Sequence, residues 1–167
     1  MTPKSKFVWS LLSVIIVLDQ VSKSVVDRIL PLNHSIPVIP NLFSLTYIRN
    51  TGAAFGIFAR SAPLVRLPLL VLFSLMAIGF IVMMLKRLSE SEKGLITALS
   101  FILGGALGNL LDRLFYGEVI DFLDFYWSSY HWPAFNFADS FITLGVIGTL
   151  CRLIRAKGED PFAGPAR

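Results

Sequence analysis

The chain has 167 residues, 54% of them hydrophobic and only 16% charged, with a formal net charge of +4. A soluble domain carries about a quarter charged residues, so the deficit predicts lipid-facing surface, and the length suits one integral membrane domain over 1–167. Nucleic acid is not an expected partner, because the basic residues collect at the flanks of hydrophobic runs (Lys4 and Lys6; Lys86, Arg87 and Lys93; Arg152, Arg155 and Lys157), not in a stripe between exposed aromatics.

The first apolar run, roughly 7–26, starts like a secretory signal but lacks a small-residue cleavage site and continues into DQVSKSVV. It predicts an uncleaved membrane helix interrupted by Asp19, Gln20 and Lys23. Asp19 and Lys23 are four apart and share a helix face. That spacing suits an ion pair near the end of the span with the lysine snorkelling, and it also suits a functional role, since a paired acid can orient a loop.

Residues 31–60 form the first outer loop. Pro31, Pro37 and Pro40 break helix, and FSLTYIR (43–49) alternates apolar and polar residues as a half-buried strand does. NTGAAFGIF (50–58) adds glycines suited to close backbone approach. A small sheet at the membrane surface is expected here.

Further spans follow at 64–85, 95–114 and 137–154, each near the 20 residues a bilayer requires. In the third, Gly104 and Gly108 make a small-xxx-small face for close helix packing. Asn109, Asp112 and Arg113 come one or two turns later, as a hydrogen-bonding knot that would fix the loop following it. Cys151, the one cysteine, lies in the fourth span and reads as a small buried thiol. The tail after Lys157 reads as disordered. Basic residues in short loops mark the cytoplasmic side, which puts both termini inside and the loops at 31–60 and 115–137 outside.

The outer loop at 115–137 carries the chemistry. Acids at a membrane edge are costly and mark function by default. Asp121, in VIDF, is flanked by apolar residues; Asp124 reads as a solvated loop charge. Asp139 opens the fourth span, where an acid also serves as a helix cap. Two carboxylates at one site share a proton, so one can activate water while the other donates to a peptide carbonyl. No metal or cofactor is called for. HExxH, GxSxG and a P-loop are absent, and His34 and His131 read as isolated loop residues.

DQVSK (19–23), RNTGAAF (49–55), GGALGNLLDR (104–113), VIDF (119–122) and FNFADS (135–140), in this order between four spans, make the chain resemble lipoprotein signal peptidase, or signal peptidase II, the bacterial membrane aspartyl protease. The resemblance implies a four-helix membrane bundle with an extracytoplasmic sheet in the inner membrane, and cleavage of diacylglyceryl-modified prolipoproteins immediately before the lipidated cysteine. It implies Asp121 and Asp139 as the catalytic pair. Asn50, Gly52, Gly105, Asn109, Arg113, Asn136 and Ala138 would line or brace the site, with Asp19 and Lys23 supporting it. Membrane lipid is an implied partner, and the antibiotic globomycin an implied inhibitor in the cleft. The aromatic insert (Phe125, Tyr126, Trp127, Tyr130, Trp132) and the NTGAAF loop are expected to close over substrate. A proton or ion relay and a structural subunit are the competing classes. A relay needs polar residues strung through several spans, and the second span is nearly free of them.

Overall fold

The computed structural model of the chain describes residues 2–52 and 62–155, and for Pro63 the backbone alone. The closing role expected of the NTGAAF loop and the disorder expected of the tail therefore fall largely outside the described residues.

Among the described residues four helices form, α1 (Pro3–Ile29), α2 (Pro63–Arg87), α3 (Lys93–Tyr116) and α4 (Phe137–Arg155), each long and apolar enough to cross a membrane. Their sequence causes are local. Thr2 caps α1 by accepting from the Ser5 N–H at 3.2 Å, with Pro3 in the first turn. Gly117, at φ 76°, ends α3 in the left-handed conformation that a residue with a Cβ avoids. The buried side of α1 is a single stripe, Leu12, Ile15, Asp19, Lys23 and Val26. Two of its positions are charged, so Asp19 and Lys23 face protein and not lipid. Lys23 does not snorkel as expected. Its relative exposure is 2%, because its ammonium finds carboxylate partners within the bundle.

Helix α3 is the centre of the bundle and is buried along most of its length, whereas α2 turns nearly all its surface outward. Where hydrocarbon surrounds the helices, close packing replaces the hydrophobic effect as the driving force. Gly105 supplies it against α4, since a Cβ there would strike the Ala138 carbonyl oxygen. Gly108 supplies it against α1, where a Cβ would lie 2.5 Å from Asp19 Oδ2.

At one end of the bundle Leu12, Leu85, Leu88, Leu95, Leu99 and Leu103 form an apolar core. Lys4 Nζ donates there to carbonyls at the end of α2, Leu85 at 3.2 Å and the capping Leu88 at 2.7 Å, and Arg152 pairs with Glu92 at 2.7 Å. The opposite end carries an antiparallel sheet in the order β1 (Ser35–Ile39), β2 (Phe43–Asn50), β3 (Val119–Trp127) and β4 (Tyr130–His131). Val26 of α1 and Leu30, which caps it, pack there on Tyr47, Ile120 and Phe122. Asp19 and Lys23 of α1 and Asn109 and Asp112 of α3 fall between these two apolar layers.

Strand β2 is the predicted one. Strand β1 holds Pro37, tolerable because β1 is the sheet's edge. VIDF, expected in a loop, is strand, so Asp121 sits on a sheet. Asp124 is likewise not a solvated charge. It is 7% exposed, and both of its oxygens lie 3.0 Å from His131 Nδ1 on β4. Cys151 is exposed on α4, not buried, because that helix face has no protein neighbour among the described residues.

Candidate active site

Register decides which way Asp121 points. Asp121 pairs with Ile48 and Val119 with Asn50, so Asp121 and Asn50 lie on one face of the sheet. A bulge in β2 between Leu45 and Ile48 keeps both of those residues on that face too. The face continues outward as Leu123, Phe125, Phe43, Ile36 and Ile39, an apolar strip leading away from the carboxylate.

Asp139 arrives from α4. Asn136 stands just before the helix and accepts from the Asp139 N–H at 2.9 Å, while Asp139 Oδ2 receives the Asn136 N–H at 3.4 Å. This reciprocal cap fixes the first turn. Helix capping and delivery of an acid to the site are here the same arrangement.

Asn136, wholly buried, joins the two acids. Its Nδ2 donates to Asp121 Oδ1 at 2.7 Å and to the Ile120 carbonyl at 3.2 Å, while its Oδ1 serves Asp139. Because the Ile120 carbonyl only accepts and the Asp139 N–H only donates, the orientation of this amide is fixed. The same logic orients the others. Asn109 Oδ1 accepts from Lys23 Nζ at 3.0 Å, so its Nδ2 faces Asp139 Oδ1 at 2.8 Å. Asn50 Oδ1 accepts from the Gly52 N–H at 2.9 Å, so its Nδ2 faces Asp121 Oδ2 at 2.9 Å. Each oxygen of both carboxylates thus receives an N–H of fixed direction.

The bracing residues surround this core. Arg113 donates to the Gly52 carbonyl at 3.3 Å and to the Asn109 carbonyl at 3.2 Å, tying α3 to the end of β2. Asp19 Oδ1 accepts the Ala138 N–H at 2.9 Å. Gly105 lets α4 approach α3 at Ala138. The residues that the resemblance implied for the site, Asp19, Lys23, Asn50, Gly52, Gly105, Asn109, Arg113, Asp121, Asn136, Ala138 and Asp139, come together here. Gln20 was passed over as a mere interruption of the span, yet its amide donates to Asp112 Oδ1 at 2.9 Å and to the Gly108 carbonyl at 3.2 Å. Its position beside Asp19 in an otherwise apolar run was the available signal.

Burial differs between the two acids. Asp121 is 2% exposed, whereas Asp139 is half-buried. Burial, with the Asp139 charge beside it, pushes the Asp121 carboxyl up to about 7, against the amides of Asn50 and Asn136 and the Lys23 ammonium. A carboxyl raised in this way beside a second, more open one has the chemistry that proton transfer requires.

Comparison with known proteins agrees with this architecture. A family model described as "Signal peptidase (SPase) II" matches residues 11–155. The lipoprotein signal peptidase of Geobacter sulfurreducens is 49% identical over 142 residues, covering 85% of this chain and 88% of that protein. That of Geobacter metallireducens is 44% identical over 155 residues, covering 93% and 94%. A solved bacterial membrane enzyme, determined by the in meso method at 1.9 Å resolution, is 30% identical with a TM-score of 0.79, covering 90% of this chain and 94% of its own. A second, at 2.3 Å, is 28% identical with a TM-score of 0.81, covering 92% and 90%. With four apolar helices and a family model matched across most of its length, this multi-pass bacterial membrane protein belongs to the signal peptidase II family.

Proposed function

We propose that the chain, a protease that removes signal peptides from prolipoproteins, is an aspartyl endopeptidase that cuts immediately before a diacylglyceryl-modified cysteine with water activated by Asp121 and Asp139. The observation that carries this reading is Asn136, one buried amide bonded to Asp121 through its side chain and to Asp139 through both side chain and backbone.

In this mechanism Asp121 holds the proton at rest, in keeping with its raised pKa, and the more open Asp139 is ionised. Asp139 takes a proton from water as the oxygen attacks the scissile carbonyl carbon, and Asp121 donates its proton to the carbonyl oxygen. The tetrahedral diol then collapses. Its C–N bond breaks, Asp139 passes its proton to the departing amine of the cysteine, and a diol hydroxyl returns a proton to Asp121. The products are a signal peptide with a free carboxylate and a lipoprotein with a free amino terminus. Asn50, Asn109 and Asn136 hold the carboxylates during both proton transfers.

The site lies at the end of the bundle opposite Lys4, Lys86, Arg87, Arg152 and Arg155. By the positive-inside rule that basic end is cytoplasmic, which leaves the site at the outer face of the inner membrane. A lipid-anchored substrate diffusing in the outer leaflet would reach it there. The apolar strip running from Asp121 along the sheet suits the extended segment beside its lipid. Globomycin, the inhibitor the family likeness implies, would compete for the same space.

The test is product analysis. Purified protein is incubated with a precursor bearing, or lacking, the diacylglyceryl group. The reading expects a new amino terminus at the lipid-modified cysteine and little turnover of the unmodified precursor. A cut elsewhere, or equal turnover of both, refutes the proposed specificity.

A further inference from the structure

The charged residues of α1 and α3 do more than neutralise one another. Asp19, Lys23 and Asp112 are 0%, 2% and 0% exposed, a buried trio with net negative charge. Lys23 Nζ reaches Asp19 Oδ2 at 2.8 Å, Asp112 Oδ2 at 2.9 Å and Asn109 Oδ1 at 3.0 Å, so all three of its N–H groups are used. Gln20 donates to both acids, at 3.1 Å to Asp19 and 2.9 Å to Asp112. Stability alone does not account for such a trio, since well-packed apolar residues in place of a buried ion pair are often as stable or more so.

What apolar residues lack is an acceptor oxygen, and each acid aims one at a particular backbone N–H. Asp112 Oδ2 accepts from Ile120, the residue immediately before Asp121, at 3.2 Å. Asp19 Oδ1 accepts from Ala138, the residue immediately before Asp139, at 2.9 Å. Among the described residues the Ile120 group has no strand partner in this direction, and the Asp112 carboxylate stands in for one. The Ala138 group is one of the orphan N–H groups of the first turn of α4, where a negative charge is also favoured by the helix dipole.

We propose that Asp19 and Asp112 are a positioning pair, coupled through the Lys23 ammonium, which sets the spacing of the two candidate catalytic carboxylates by gripping the chain one residue upstream of each. The third arm of Lys23 runs through Asn109 to Asp139 itself, at 2.8 Å. Asp121 and Asp139 reside on different elements, a strand and a helix, and the trio ties both to one rigid point. This inference rests on the reading of Asp121 and Asp139 as the reacting groups.

The test follows cleavage of a lipidated precursor by the full-length protein, with kcat and KM separated and folding checked by circular dichroism and thermal unfolding. A misplacement of about 1 Å costs about 100-fold in rate. Asp112→Ala and Asp19→Ala are therefore expected to lower kcat by about 100-fold with KM within about threefold, while Asp112→Asn, which keeps an oxygen for Ile120, recovers about tenfold of the loss. A pH profile adds a readout that a merely structural role would not move. The charged groups around Asp121 are Asp19 and Lys23 from α1, Asp112 and Arg113 from α3, and Asp139 from α4, with Arg49 of β2 engaged by Asp27. Removing the positive charge in Lys23→Met moves the alkaline limb up, and removing a negative charge in Asp112→Asn moves it down, each by about half a pH unit or more.

A folded Asp112→Ala protein with kcat within about threefold of the parent overturns the proposal. If that variant does not fold, Asp112→Asn and Lys23→Met decide, and limbs that stay put or move together overturn it. Asp121→Asn and Asp139→Asn are run alongside. If either still turns over, the catalytic reading fails. If both are dead while Asp112→Ala is active, only the positioning role fails.

Discussion

Asp121 should make the fold weaken as pH rises. Its carboxyl is 2% exposed and its pKa is raised from 3.8 to about 7 by burial first and by Asp139 second. The folded value lies above the unfolded one, so the stabilisation is fully present below about pH 4 and is lost as pH rises through about 7. A shift of about three units at 1.36 kcal/mol per unit corresponds to roughly 4 kcal/mol. Asp121→Asn removes the titrating group, so the stability gap between variant and parent should shift towards the variant by up to that amount between pH 4 and pH 8, and level off beyond. For a chain of this size that is on the order of 8–16 °C in relative Tm. Thermal unfolding of both proteins in one detergent across that range measures it, and taking the difference cancels the titrating groups that do not couple to Asp121. A gap that is constant from pH 4 to 8, or that moves towards the parent, refutes the reasoning.

Other outcomes follow from the same geometry. In the proposed mechanism Asp121 carries the proton, so kcat/KM should fall about tenfold per pH unit above roughly pH 7, and a profile flat to pH 9 contradicts that assignment. Gly105→Val should separate α3 from α4, since even a Cβ meets the Ala138 carbonyl oxygen; a loss of about 1–3 kcal/mol or more is expected, read as a fall in Tm with a parallel fall in activity. Asp124→Asn loses its contact with His131, whose side chain is 54% exposed. A stability loss of no more than about 1 kcal/mol and near-parental cleavage are expected, and a dead variant would reassign the acid.

Much of this protein was legible in its sequence because membranes simplify the code. A bilayer demands long apolar runs, so the helices were found to within a few residues at most ends, and polar residues inside them stood out at once. Strand β2 showed itself by alternation. Strand β3 did not, because Val119 to Phe122 are all buried and its two faces read alike. Strand β1 contains a proline and is exposed throughout, so neither burial nor propensity marked it. For Lys23 and Asp124 the sequence suggested contact with solvent, yet each has a partner brought in by another element, Asp112 for the lysine and His131 for the aspartate. The lysine's pairing joins two helices far apart in the chain and leaves no local trace, while the aspartate's depends on β4 turning back along β3. The amides are a similar case. Asn50, Asn109 and Asn136 were visible as polar residues beside glycines and aromatics, but that each has one fixed orientation follows only from its second partner.

The two-carboxylate account is tested most directly by cleavage of one lipidated precursor with Asp121→Asn, Asp139→Asn and Asp124→Asn, each shown to be folded and membrane-inserted. Loss of turnover by at least about 1000-fold in the first two, with the third near the parent, is the predicted result. Measurable turnover in either of the first two would remove that aspartate from the chemistry and contradict the paired mechanism.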